Sequence, residues 1–186
     1  MRIIGGTLKR TIIPSPPGDA TRPTMDQLRE SIFTVIEQTV DLAGSTVLDL
    51  YAGSGILSWE ALSRGATRTT MVDTSAEICR HLRSIAQQLG RNEDVKIIRT
   101  DALSAIEGLQ LTEIDCLFAD PPYARRDCNR LMQLLNTHDV IRPGGLAIIE
   151  HGDQEFLLPT ERFEPVWQGA RGPSIVEIFR RIETNP

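Results

Sequence analysis

The chain has 186 residues, 40% of them hydrophobic and 24% charged, with a formal net charge of −5. That length accommodates one domain with a sizeable core, and the balance excludes collagen-like and disordered classes. No apolar run approaches the roughly 20 residues that a membrane span needs. No apolar segment with a cleavage site follows the opening "MRIIGGTLKR", so a cytoplasmic protein without a membrane partner is expected.

The first thirteen residues read as a hairpin, "RII" and "TII" flanking a "GG" near the turn. Charge is unevenly placed from Met1 to Arg22, where Arg2, Lys9, Arg10 and Arg22 stand against the single acid Asp19. An acidic protein with a basic arm can still meet nucleic acid, because phosphate contact depends on the local field. The proline-rich "PSPPGDATRP" is a loop. Thr24 is placed to cap a helix whose Leu28, Ile32, Val35, Ile36 and Val40 form one apolar stripe.

After Gly44 the pattern changes, separating an extension over 1–43 from a body over 44–186. Strands are expected at "TVLDL", "RTTMVD", "VKIIRT", "IDCLFAD" and "GGLAIIEH", with helices between them, and late strands at "RFEPVWQ" and "SIVEIFRRI". Alternating strands and helices predict a seven-stranded, mostly parallel, doubly wound α/β sheet with ligands at the carboxyl ends of its strands. Cys79, Cys116 and Cys128 form no C-x-x-C pair, and His81, His138 and His151 are scattered. Neither a metal nor a disulfide is expected.

The strand ends carry the acids: Asp49 in "DLYAGSG", Asp73 in "MVD", Asp101 in "RTDAL" and Asp120 in "DPPY". The loop holding Gly53 and Gly55 lacks the third glycine of the dinucleotide fingerprint and has no basic residue for a pyrophosphate. An acid after the second strand can accept both hydroxyls of a ribose. A ribose-bearing, phosphate-free cofactor is S-adenosylmethionine, making the chain a Rossmann-like, class I methyltransferase candidate.

Asp120, Pro121, Pro122 and Tyr123 form a stiff exit from the fourth strand, since each proline fixes φ and biases the residue before it. The tetrapeptide resembles the [N/D]-P-P-[Y/F] loop of amino-methyltransferases. An aromatic exocyclic amine is a poor nucleophile until it is oriented. Hydrogen bonds to the Asp120 carboxylate and the Pro121 carbonyl would orient it, and Asp120 could take the proton that alkylation makes acidic. Tyr123 would stack on a flipped-out base.

"MRIIGGTLKR", "TRPTMDQLRESIF", "VLDLYAGSGILSWEALSRGA", "MVD" and "LFADPPY" occur in the order seen in the RsmD family, which the chain resembles from Met1 to about His151 and more weakly through "ARGPSIVEIFRR". The resemblance implies transfer of a methyl group to guanine N2 of 16S ribosomal RNA, free or in the small ribosomal subunit, by a monomer. It implies a cofactor site at Asp49, Tyr51, Gly53, Gly55, Asp73, Asp101 and Ala102, target handling at Asp120 to Tyr123, and RNA contact by Arg2, Lys9, Arg10 and Arg22. The family often has Glu where Asp73 stands and Asn where Ile85 stands. Two other functions fit parts of the pattern. A DNA adenine-N6 methyltransferase would use the same loop, but the chain is short for a DNA-recognition domain. A non-catalytic RNA-binding assembly factor would have no need of four strand-end acids.

Overall fold

The computed structural model describes residues 1–16, 25–158 and 160–183. Thr24 and Arg22 lie outside the described residues. Helix α1 (Met25–Thr39) is followed by β1 (Thr46–Leu50), α2 (Ile56–Ser63), β2 (Arg68–Asp73), α3 (Ala76–Gln88), β3 (Val95–Arg99), α4 (Ala102–Gly108), β4 (Ile114–Ala119), α5 (Cys128–Thr137), β5 (Ile141–Gly152), β6 (Phe163–Arg171) and β7 (Ser174–Arg181). The seven strands form one sheet in the order β3-β2-β1-β4-β5-β7-β6. The pairs from β3 through β5 are parallel, and β7 runs antiparallel to both β5 and β6. This is the Rossmann-like class I methyltransferase fold expected from the strand and helix pattern.

Burial explains why the central strands are apolar runs and not alternating ones. β1 and β4 are covered on both faces, so nearly every residue is buried, whereas edge strand β3 has no buried residue. One core joins Val47, Met71 and Phe118 to Leu28, Ile32 and Ile36 of α1, Trp59 and Leu62 of α2, and Leu82 and Ile85 of α3. The other joins Leu48, Leu50 and Leu117 to Leu103 and Ile106 of α4 and Leu131, Met132 and Leu135 of α5. Consecutive buried residues of β2, β4 and β5 alternate between the two cores, so the sheet is doubly wound.

The opening segment pairs as the expected short hairpin: Arg2 and Ile12 make an antiparallel bridge, Met1 and Ile13 exchange both backbone hydrogen bonds at 2.9 Å, and Ile3 N–H donates to the Thr11 carbonyl at 3.0 Å. The turn of this hairpin is anchored on α2. Glu60, wholly buried there, takes the N–H groups of Ile4 (2.8 Å) and Gly5 (2.7 Å). Thr7 N–H donates to the Ser63 carbonyl at 2.7 Å and Leu8 N–H to the Ser63 hydroxyl at 2.8 Å. The arm therefore lies along α2, and its Ile3 and Ile13 are buried in the first core.

Candidate active site

The strand order brings four strand ends side by side. A cavity of about 180 Å³ opens there, lined by Tyr51 after β1, Val72, Asp73 and Thr74 at the end of β2, Thr100 and Ala102 after β3, and Asp120, Pro122 and Arg125 after β4. Five of the residues singled out from sequence, Tyr51, Asp73, Ala102, Asp120 and Pro122, thus share one cavity. Pro121 is buried beside it. Tyr123 opens a single 3-10 turn, Tyr123–Arg125; its side chain lies outside what the structure describes.

The glycine loop is held from two sides. Asp73 accepts the Gly53 N–H at 3.2 Å through one oxygen and the Ser75 N–H at 2.8 Å through the other. The indole N–H of Trp59 donates to the Ser54 carbonyl at 3.0 Å. The two glycines differ in role. At Gly53 (φ +51) a Cβ would meet nothing closer than 3.9 Å, so its side faces open space available to a ligand. At Gly55 (φ +70) a Cβ would stand 2.8 Å from both Leu82 and Trp59, so this glycine is required by packing. Tyr51 also adopts a left-handed conformation, φ 60, a strained choice for a non-glycine residue.

Asp49 lies beneath the loop and does not line the cavity. It is 5% exposed, accepts the Ser58 hydroxyl at 2.7 Å, and Ser58 in turn accepts from Thr69 at 3.0 Å. Burial pushes the Asp49 carboxyl up to about 7, against the lowering hydrogen bond from Ser58, and the nearby charges of Asp120 and Asp73 add to the rise. Two carboxyls, Asp73 and Asp120, line one small space, and the Arg125 guanidinium at its mouth is already committed to Asp101 and Asp127, so a cationic ligand would relieve the field inside. A phosphate would worsen it. The lining therefore fits an adenosyl sulfonium cofactor, which Asp73 and Ala102, both on the cavity wall, would hold.

Asp101 has two commitments. One oxygen caps α4, accepting from Leu103 (3.1 Å) and Ser104 (3.3 Å). The other accepts from Arg125 at 2.8 Å. Arg125 was not singled out from sequence, although a cation two residues beyond Tyr123 was the available signal. It also pairs with Asp127 at 2.6 Å, whose same oxygen accepts the Tyr51 hydroxyl at 3.0 Å.

The arm's charged residues sit apart from this cavity. Met1 contacts the loop, its sulfur accepting from the Ser54 hydroxyl at 3.7 Å, whereas the turn bearing Lys9 and Arg10 lies beside Ser63 at the far end of α2. Eight helical residues separate the two ends by roughly 12 Å. Arg2, Lys9 and Arg10 are exposed, and Arg2 pairs with Asp26 at 3.2 Å.

Fold and cavity together define a class I methyltransferase. The family model described as "Conserved hypothetical protein 95" matches residues 1–180. A putative rRNA methyltransferase, YlbH, of Bacillus subtilis is 34% identical over 161 residues, 86% of each chain. The ribosomal RNA small subunit methyltransferase D of Escherichia coli K12 is 30% identical over 166 residues, 86% of this chain and 78% of that protein. The fold matches that of the solved E. coli putative methyltransferase yhhF with a TM-score of 0.86 at 24% identity, covering 99% of both chains. The chain belongs to this family, that of ribosomal RNA small subunit methyltransferase D.

Proposed function

We propose that the protein transfers a methyl group from S-adenosylmethionine to the exocyclic N2 amine of a guanine in 16S ribosomal RNA. The observation that carries this reading is that Asp120 and Pro122 of the target loop line the same cavity as Asp73 and Ala102. When bound, the cofactor supplies an electrophilic methyl group on a sulfonium. The chain's own residues do the rest. Asp120 and the Pro121 carbonyl orient the guanine amine so that its lone pair points into the cavity, and this positioning supplies most of the rate, roughly 7–11 kcal/mol for well-oriented reactants. As the nitrogen is alkylated it becomes strongly acidic, and the Asp120 carboxylate is base enough to accept its proton.

RNA contact is assigned to the arm. Lys9 and Arg10, exposed at the far end of α2, would hold phosphates flanking the target. With a ribosomal RNA substrate, the enzyme would act in the cytoplasm. The test is transfer of a tritiated methyl group to 30S particles, naked 16S RNA and duplex DNA. Labelling of either RNA substrate at guanine N2 is expected. Labelling of DNA adenine alone would replace the reading with the adenine-N6 alternative, and no labelling of any substrate would favour a non-catalytic assembly factor.

A further inference from the structure

Arg125 joins the two halves of the site. It follows the target loop by two residues, and its own N–H closes the 3-10 turn on the Pro122 carbonyl at 2.8 Å. Its side chain reaches back over the cavity. Nη2 donates to Asp101 at 2.8 Å, Nε pairs with Asp127 at 2.6 Å, and the guanidinium carbon lies 5.9 Å from the centre of the Tyr51 ring. In the sheet, β4 and β3 are separated by β1 and β2. The guanidinium therefore spans the cavity mouth from the target-loop side to the cofactor-loop side.

Arg125 is exposed, and an exposed ion pair contributes little to stability. Its partners, however, are fixed in place. Asp101 is fixed by capping α4, and Asp127 is fixed by the Tyr51 hydroxyl. Burial would raise the Asp101 carboxyl, but the Arg125 hydrogen bond and the two backbone N–H groups outweigh it and hold it below the usual carboxylate range. The planar fork of a guanidinium can serve both carboxylates at once, which a lysine ammonium on its single point cannot match.

We infer that Arg125 is a positioning residue, a clasp that registers the Asp120–Tyr123 loop against the cofactor pocket through Asp101 and Asp127. The inference rests on the methyltransferase reading above, and the experiment separates the two. Wild-type protein is first shown to methylate its RNA; complete inactivity would defeat that reading and leave the clasp to be judged by exchange alone. Amide hydrogen exchange is then followed in residues 120–126, with S-adenosylhomocysteine as the probe. Wild type is expected to gain protection in this loop when the probe binds, whereas Arg125→Ala exchanges about 10-fold faster and gains none.

Single-turnover transfer at saturating cofactor and RNA is expected to fall about 10-fold or more in Arg125→Ala, since small misplacements are costly in rate. Probe affinity should stay within about 3-fold and melting temperature should be unchanged, given the small contribution of an exposed pair. Arg125→Lys should recover only part of the rate. Loss in Asp127→Asn should not add to that of Arg125→Ala, because both variants break one linkage. Unchanged loop exchange overturns the inference. So does a slow rate restored to wild type by raising cofactor concentration, which would make Arg125 an ordinary cofactor contact.

Discussion

The Asp73 carboxylate accepts the Gly53 N–H at 3.2 Å, so the acid ending β2 fixes the loop that leaves β1. Asp73→Ala would remove both a ligand group and a brace of the loop. Its affinity for S-adenosylmethionine is expected to fall by about 1–3 kcal/mol, the scale of a lost hydrogen bond to a charged group. Gly53→Val should weaken binding further. A Cβ there meets no neighbour within 3.9 Å, so the fold tolerates the volume, but the side chain would occupy the space of the ligand and carry the strain of φ +51. Calorimetry that finds unchanged affinity in both variants would move the pocket elsewhere.

Asp120→Ala should keep the fold and cofactor affinity while losing about 10²-fold or more in single-turnover methylation. Tyr123→Ala should weaken RNA binding by about 1–3 kcal/mol, the value of one base–aromatic stack. Near-wild-type turnover in the Asp120 variant would defeat the proton-acceptor assignment.

Asp49 gives the site a pH dependence. Its carboxyl is pushed up to about 7 in the folded protein, chiefly by burial. The native state therefore holds a proton that the unfolded chain has released between the ordinary carboxylate range and about pH 7. The resulting stability is complete at low pH and is lost as pH rises through about 7. Asp49→Asn removes the titration, so melting profiles from pH 5 to 8.5 should be flatter than wild type. Above pH 8 the variant should gain relative to wild type by at most about 4 kcal/mol, at about 1.4 kcal/mol per pH unit between the two values. Identical pH profiles would count against a protonated Asp49.

Glu60 anchors the arm. It accepts two arm N–H groups, pairs with Arg64 at 2.9 Å and lies 3.8 Å from the buried Arg29. Glu60→Ala would leave these donors buried without their acceptor, at a cost of about 3–5 kcal/mol in denaturant unfolding. Limited proteolysis should then cut within residues 1–16. An intact arm and unchanged stability would show that Ile3 and Ile13 hold it unaided.

Replacing Lys9 and Arg10 by Ala should flatten the slope of log affinity for single-stranded RNA against log salt by roughly 1–1.5, at about 0.7 per phosphate contact. Cofactor affinity should not change, since the turn lies at the far end of α2 from the glycine loop. An unaltered slope would make the arm structural and place the RNA surface elsewhere.

What the chain determined locally was readable without a structure. Short apolar runs and a 3.6-residue period located the strands and helices, because in a doubly wound sheet each element is short and buries its own apolar side chains. Acids at four strand ends could be located because parallel strands present their carboxyl ends on one edge. Family resemblance rested on similarly local runs, such as "RIIGG" and "DPPY".

Tertiary structure alone decided the partners. Glu60 takes the Gly5 N–H from 55 residues away, so the opening hairpin docks on α2, a partner that its own sequence does not name. Gly53 and Gly55, equivalent in a motif, separate into one that faces ligand space and one that abuts Leu82 and Trp59. Asp49 and Asp73 end neighbouring strands, yet Asp49 is sealed beneath the loop while Asp73 lines the cavity. Arg125 finds Asp101 only because the order β3-β2-β1-β4 brings both to one cavity mouth. Backbone preference and burial are properties of a short stretch of chain. The partner of a charge, and the cost of burying it, depend on which distant atoms the topology brings within about 4 Å.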